Sequence, residues 1–354
     1  MKIHATLKTG KKNKLKIKGK LTKSELSAVG SMQELRLLSG GIRILDALIR
    51  ALLGAAVLCT LFLCSCASVY GYGEPEDKLT VSALGFDGDG ESISVVARSA
   101  VDERIFIGEG ESVDGAMSHI KGADEKGLEL SHLALVVVGD GIGDTEMKEI
   151  LDFCLRNGDV SVGVSFAAAH SARELLSSPE GDGSRLASAI REGKDGSGYT
   201  KGCRFYEIGN AILDKGEGYH LPYFSPWEGG YTLDGLKVYT SRGSSVRLDR
   251  SESAYYMMVK GLFDGGAVDL EYGGREYSVF VSGCKTVRRE EEGKSLIECH
   301  LGFNELRVPI DDVDGMLSEC SRRATELCRR LFDHYGDVFG ANFSDGMTVR
   351  MVAE

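Results

Sequence analysis

Apolar and polar positions along the chain follow two periods. From Leu79 to Phe86 and from Ser92 to Arg98 the pattern predicts two strands around Asp87-Gly88-Asp89-Gly90, which has the chemistry of a hairpin turn. Ser112 to Ile120 suits a short helix, and Leu133 to Val138 (LALVVV) is the continuous apolar run of a buried strand. Asp144 or Thr145 can cap a helix whose Met147, Ile150, Leu151, Cys154 and Leu155 fall at i, i+3, i+4, i+7 and i+8, predicting one buried face. Val160 to Ala168 predicts the next strand. Ala172 to Leu176, Arg185 to Arg191 and Phe205 to Leu213 predict helices. Alternation of strand and helix implies layered α/β structure.

Tyr219 to Gly230 (YHLPYFSPWEGG) holds two prolines and the only tryptophan, and reads as a linker between domains. Beyond it Tyr231 to Tyr239 restarts a strand, Glu252 to Leu262 is helical, and Val268 to Val308 contains strands of period two. In the last of these Ile297, Cys299, Leu301 and Phe303 share a face while Glu298 and His300 point away, with antiparallel pairing expected across Glu290-Glu291-Glu292-Gly293. The strongest periodicity comes next: Val313, Met316, Leu317, Cys320, Ala324, Leu327, Cys328 and Leu331 form one helical stripe opened by the caps Asp311 and Asp312. Met347 to Val352 offers a closing strand. The expected fold class is α+β, with mixed α/β layers in two or three small domains, each a β-sheet covered by helices. Residues 79–225 form the N-terminal α/β part and 229–354 an α+β part with an antiparallel sheet and a long helix.

Residues 51–63 (ALLGAAVLCTLFL) carry no charge, a run short of the roughly 20 apolar residues of a membrane-spanning helix. The length suits the apolar segment of a secretory signal, with Arg43 and Arg50 as positive flank. Leu63-Cys64-Ser65-Cys66 follows, with a branched apolar residue at −3, a small one at −1 and then cysteine, and it resembles a bacterial lipobox. That resemblance makes Cys66 the lipidation site, residues 1–65 a signal or leader with Met32 as an alternative start, and residues 66–78 a lipidated tether. The alternative is an uncleaved anchor helix with Cys66 a spare thiol. Both readings put the remainder outside the cytoplasm.

Charge follows the same division. Residues 1–50 hold 12 Lys or Arg against 3 acids, whereas the other 304 hold 30 against 50, a net of −20. Such an acidic body argues against a nucleic-acid partner, since phosphate binding needs a basic face. An apolar fraction of 42% with 27% charged residues is enough for a real core.

Candidate chemistry is sparse. Gly139-Asp140-Gly141-Ile142-Gly143 stands where a dinucleotide fingerprint would, but the third glycine position is Asp144, and two aspartates would repel a pyrophosphate, so a tight strand-to-helix turn is expected. Gly163-Val164-Ser165-Phe166-Ala167, placed at a strand-to-helix junction, has part of a nucleophile elbow, yet His170, His220, His300 and His334 are scattered and a buried strand serine is the better reading. Asp87, Asp89 and Glu91 miss the calcium-loop pattern at Ser92 and Arg98, leaving a solvated hairpin tip. Cys154, Cys203, Cys284, Cys299, Cys320 and Cys328 show no paired metal spacing, and a bridge between Cys284 and Cys299 across the turn stays open. No catalytic residue, metal or cofactor is expected.

The order of motifs resembles the Ger(x)C lipoproteins, the C subunits of spore nutrient-germinant receptors. It is carried by the lipobox, by Leu84-Gly85-Phe86-Asp87, by Gly108-Glu109-Gly110-Glu111-Ser112 with Ala116, by His132-Leu133 through Val138-Gly139, and most specifically by Ile150-Leu151-Asp152-Phe153-Cys154-Leu155-Arg156-Asn157. Ala172-Arg173-Glu174-Leu175-Leu176 and Leu236-Lys237-Val238 extend it. The resemblance implies a non-enzymatic subunit anchored through Cys66 on the outer face of the inner spore membrane, assembling with germinant receptor A and B membrane subunits. It also marks His132, Asp152 and Arg156 as structural or interface residues. The competing class is an extracytoplasmic solute-binding lipoprotein with two lobes around a cleft.

Overall fold

The computed structural model describes residues 49, 51–55, 78–123, 127–192, 201, 203–214, 218–240, 243–291, 294–303, 312–336, 339 and 347–353. The chain divides into two compact units, 1–72 and 73–354. In the first, residue 49 and residues 51–55 are helical and exposed. Met32 and Cys66 lie outside the described residues.

The second unit is built on a nine-stranded mixed sheet. Its strands are β1 (Lys78–Gly88), β2 (Ile93–Ser99), β3 (Ile105–Gly110), β4 (Gly127–Glu129), β5 (Leu135–Val138), β6 (Ser165–Ala169), β7 (Tyr219–Trp227), β8 (Gly230–Tyr239) and β9 (Ser245–Leu248). They lie in the order β3-β2-β1-β5-β6-β7-β8-β9, with β4 beside the start of β1. The central β1, β5, β6 and β7 are parallel and both flanks are antiparallel.

Helices cover both faces of this sheet. On one, α1 (Val113–Ala123), α2 (Asp144–Arg156) and the start of α5 (Phe205–Asp214) pack on Leu84, Phe86, Val136, Val138 and Phe166. On the other, α3 (Ala172–Ser177) and α4 (Gly183–Glu192) cover Ala83, Val96, Leu135, Val137 and Ala167. Every residue of β5 is therefore fully buried, which explains why Leu135–Val138 lacks the two-residue alternation of a half-exposed strand. Each such Leu or Val contributes about 1.5–3 kcal/mol relative to exposure.

Past the sheet come α6 (Arg250–Lys260), β10 (Gly266–Tyr272), β11 (Arg275–Val281), β12 (Gly283–Glu291), β13 (Lys294–Gly302), α7 (Val313–Tyr335) and β14 (Thr348–Ala353). β10 and β11 form a hairpin, and β12-β13-β14 a second sheet whose β12–β13 pairing runs across the expected turn. The stripe of α7 is buried from Met316 to Leu331 against Ile297, Cys299, Leu301 and α6. Asp312 caps α7 by accepting the Gly315 N–H at 2.8 Å, and Asp249 caps α6 through Glu252 N–H at 2.8 Å. Asp311 lies outside the described residues.

Four expectations are corrected. Tyr219 to Gly230 is no linker: it forms β7 and the turn into β8. Its prolines are tolerated because β6 pairs only with Tyr223 and Phe224, and the β7–β8 ladder shifts register between Pro222 and Phe224. Leu155 does not join the buried face of α2; it is 64% exposed, while Phe153 is buried. The strand expected from Val160 starts at Ser165, because Val164 N–H bonds Ser161 O in a preceding turn. Ser165 thus opens a strand and does not sit at a strand-to-helix junction. Glu298 does lie on the face opposite Ile297, Cys299 and Leu301, as the period predicts, and there it is buried beside Arg289 at 3.3 Å and Arg350 at 3.2 Å.

The six described cysteines are free thiols. Cys284 is paired in register with Leu301 and Cys299 with Thr286, so the two sulfurs are diagonal neighbours. Burial pushes the Cys154 and Cys203 thiols up to about 12, which removes thiolate chemistry near neutrality.

His220 of β7 meets Tyr256 of α6 edge-on at 5.4 Å, linking the large sheet to the second core. Its Nε2 lies 2.6 Å from Lys201 O, and burial, reinforced by the Lys260 charge, lowers its pKa from 6.5 to about 4. The neutral ring is the folded form, so this contribution is complete above pH 6.5 and is lost as pH falls toward 4. It amounts to roughly 3 kcal/mol. His220→Gln should flatten the pH dependence of urea unfolding between pH 6.5 and 4; an unchanged slope would assign that dependence to other groups.

Candidate functional site at the carboxyl ends of the parallel strands

The chain leaving β5 turns to the α2 face, while the chain leaving adjacent β6 turns to the α3 face. Diverging connections open a crevice at the carboxyl ends of parallel strands, the usual place for a ligand in such sheets. Here side chains fill it. Asp140, directly after β5, accepts the Tyr223 hydroxyl at 2.8 Å on Oδ2, and His170 Nδ1, directly after β6, lies 3.1 Å from the same oxygen. Lys237 reaches in from β8 with its side chain only 5% exposed, donating to Gly139 O at 3.2 Å and Asp140 O at 3.1 Å, with Asp140 Oδ1 at 3.6 Å. Burial lowers the Lys237 pKa and Asp140 opposes that shift. Arg247 stacks over the Tyr223 ring at 4.2 Å and pairs with Asp234 at 2.8 Å. Burial, helped by the Asp140 hydrogen bond, raises the Tyr223 pKa, so its hydroxyl stays a donor. The group is a clasp holding one loop to three strands.

The neighbouring loop is equally constrained. Asp87, at the end of β1, accepts Ala172 N–H at 2.8 Å, Arg173 N–H at 2.8 Å and Ser171 Oγ at 3.2 Å, closing the start of α3 together with Ser171. The loop after β5 passes so close that a Cβ on Gly139 would stand 2.0 Å from Asp87 Oδ1, and one on Gly141 1.8 Å from Gly88 O. Gly139-Asp140-Gly141-Ile142-Gly143 is thus the tight strand-to-helix turn, and its glycines serve chain crossing. Asp87 also departs from the expected solvated tip. Only Asp89 behaves as a turn residue, accepting Glu91 N–H at 3.0 Å and Ser92 N–H at 2.8 Å, which lower its pKa.

Arg156 and Asp152 do come together at the end of α2: Arg156 Nε donates to Asp152 Oδ2 at 2.7 Å and Nη2 to Asp114 Oδ2 of α1 at 2.9 Å. Asp114, which pairing by sequence did not reveal, makes the ion group a tie between two helices, and both carboxylates raise the Arg156 pKa. His132 is exposed in the turn before β5. Ser165 is 2% exposed at the amino end of β6, opposite to the end where a nucleophile elbow presents its serine. His170 is engaged with Asp140 and His220 with Lys201 O. Asp140, Tyr223 and Lys237 were not legible as a group; the sole signal was a lysine within the apolar run of β8.

Residues 68–226 match the family described as "Spore germination protein N-terminal domain". A solved structure, "Crystal Structure of the GerBC protein", is similar over 76% of this chain and 96% of that one, at 12% identity and a TM-score of 0.39, a likeness too low to bear on function. Among curated proteins none matches. Residues 68–226 are thus similar to the N-terminal domain of spore germination proteins, and the motifs from Leu84 to Asn157 fall inside that matched segment. The matched family is one of germination receptor subunits and is not a known enzyme family.

The Asp87 cap gives a direct stability test. Asp87→Ala removes three hydrogen bonds from the start of α3 and should cost about 2–3 kcal/mol in urea unfolding, with Asp87→Asn retaining part of it. An alanine variant as stable as the parent would show that Ser171 alone suffices.

Proposed function

We propose that this chain is a non-enzymatic lipoprotein subunit of a nutrient-germinant receptor. It is anchored through diacylglycerol on Cys66 to the outer face of the inner spore membrane and required there for receptor assembly with the A and B membrane subunits. The observation that carries this reading is continuity: the family match begins at residue 68, immediately after the lipobox cysteine. Two or three acyl chains suffice for stable attachment where one would not. No helix among the described residues is long and apolar enough to cross a membrane. His132, Asp152 and Arg156 act in it as structural or interface positions, Arg156 by setting α2 against α1.

A solute-binding lipoprotein would expect two lobes joined by a linker around a cleft. The residues expected as that linker are strand β7 and the β7–β8 turn, inside one sheet. That removes its structural motive. The crevice between β5 and β6 is occupied by Asp140, His170 and Tyr223.

Cys66→Ala in a spore former should release the protein from the membrane fraction and impair nutrient germination. Retained attachment with normal germination would sink the reading. Arg156→Ala should reduce either thermal stability or co-purification with the membrane subunits; a variant unchanged in both respects carries no interface role at that position.

A further inference from the structure

Large apolar side chains exposed in the nine-stranded sheet and its helices are not spread evenly. Val101 is 82% exposed, Leu155 64%, Val162 65% and Tyr206 44%. Topology places all four at one edge. The β2–β3 turn carrying Val101 is tied to the start of β1 by Ala100 N–H to Thr80 O at 2.8 Å. Val162 lies in the turn before β6, and Tyr206 N–H bonds Val162 O at 3.2 Å. Leu155 ends α2, the helix that returns the chain from the carboxyl to the amino end of the sheet. This is the amino edge of the parallel strands, and Lys78, the first residue of β1, is there too.

From Cys66 to Lys78 the chain has twelve steps, which can span at most about 40 Å. A lipid on Cys66 therefore keeps the point where the chain enters β1 within that reach of the bilayer. A short tether gives even a weak contact a high effective concentration. Charges around the four residues are largely engaged: Lys78 pairs with Glu129 at 3.4 Å, Arg104 with Asp102, and Arg156 with both Asp152 and Asp114, which leaves these groups one negative charge in excess.

We propose that the amino edge of β1, β5 and β6 rests on the bilayer, with Val101, Leu155, Val162 and Tyr206 entering the lipid interface; the amino end of β7 is covered by α6 through His220 with Tyr256 and Lys260 with Gly218 O. This rests on the lipidation reading and adds to it an orientation: the Asp140 clasp and the β7–β8 turn face away from the membrane. The contact is apolar, so salt does not dissolve it. Tyr206 supplies the amphipathic ring that interfaces favour.

The sole tryptophan, Trp227, is an internal control. It is 61% exposed at the far end of β7, a strand that rises about 26 Å from the amino edge. The test uses the full lipid-bearing protein in vesicles of phosphatidylethanolamine and phosphatidylglycerol with brominated acyl chains, which quench tryptophan on contact. Wild type, reporting through Trp227, should be unquenched. Val162→Trp in a Trp227→Phe background should lose about half its emission or more, at low and high salt alike. Intact mass establishes the acyl chains independently. A lipid-bearing variant with an unquenched tryptophan at 162 overturns the docking and leaves the anchor standing. A protein without acyl chains overturns both. Shielding at position 162 only when the membrane subunits are co-reconstituted assigns this edge to a protein partner and overturns the lipid contact.

Discussion

At the end of β1 the Asp87 carboxylate accepts two backbone N–H groups and a hydroxyl from the start of α3, a helix that belongs to β6. A carboxylate here neutralises the positive end of α3 and satisfies donors that would otherwise be orphaned against the sheet. Because β5 lies between β1 and β6, its outgoing loop must pass directly over this bond. Only glycine leaves room: Gly139 clears Asp87 and Gly141 clears Gly88. The cap therefore dictates the composition of the next loop. That loop in turn delivers Asp140 and the backbone carbonyls that Lys237 binds from β8. One charge-assisted contact thus organises the carboxyl ends of four neighbouring strands.

The consequence for function follows from how completely these groups are used. Asp140 meets Tyr223, His170 and Lys237; Asp87 is spent on α3; Arg247 is divided between Asp234 and the Tyr223 ring. Tyr223 and Lys237 are the buried members, and each left without its partner would carry the desolvation penalty of an unpaired group, whereas Asp140, His170 and Arg247 stay partly open to solvent. Elsewhere, an open groove of about 520 Å³ beside α6 and α7 is lined by Arg322, Arg323 and Arg330, and these pair with Glu319, Glu326 and Glu252. Engaged charge of this kind recurs across the described residues.

Much of the fold was legible in the sequence wherever one period dominated. The α7 stripe with its Asp312 cap, the buried run of β5 and the β12–β13 pairing follow from spacing that tertiary contacts reinforce; Asp144 or Thr145, expected to cap α2, stands inside a helix whose N-cap is Gly143. Legibility failed where two signals competed. Tyr219 to Gly230 carries two prolines, which speak for a loop, yet the β6 ladder reaches only Tyr223 and Phe224 and leaves Pro222 and Pro226 harmless. Ile105–Gly110 is a strand that includes two glycines and a glutamate; a Cβ on Gly108 would lie 2.1 Å from Ala116 O, so its glycine records the close seating of α1. Leu155 fits the helical period but, one residue from the end of α2, it is left uncovered by the described residues. The polar clasp was hidden for a different reason. Its members come from β5, β6, β7 and β8, separated by up to 97 residues, and only sheet order brings them together.

Net charge and exposed apolar surface then stop being independent facts. With lipid on Cys66 as proposed, a body of −20 tethered through twelve residues of chain is repelled at long range by anionic lipid, and that repulsion has no direction of its own. Orientation then comes from short-range contact, and the α/β part offers it at the edge where the chain enters: Val101, Leu155, Val162 and Tyr206. The proposed contact gives a use to Leu155, exposed on a helix that otherwise follows its apolar period. It also leaves the clasped carboxyl ends and the β7–β8 turn on the side away from the lipid.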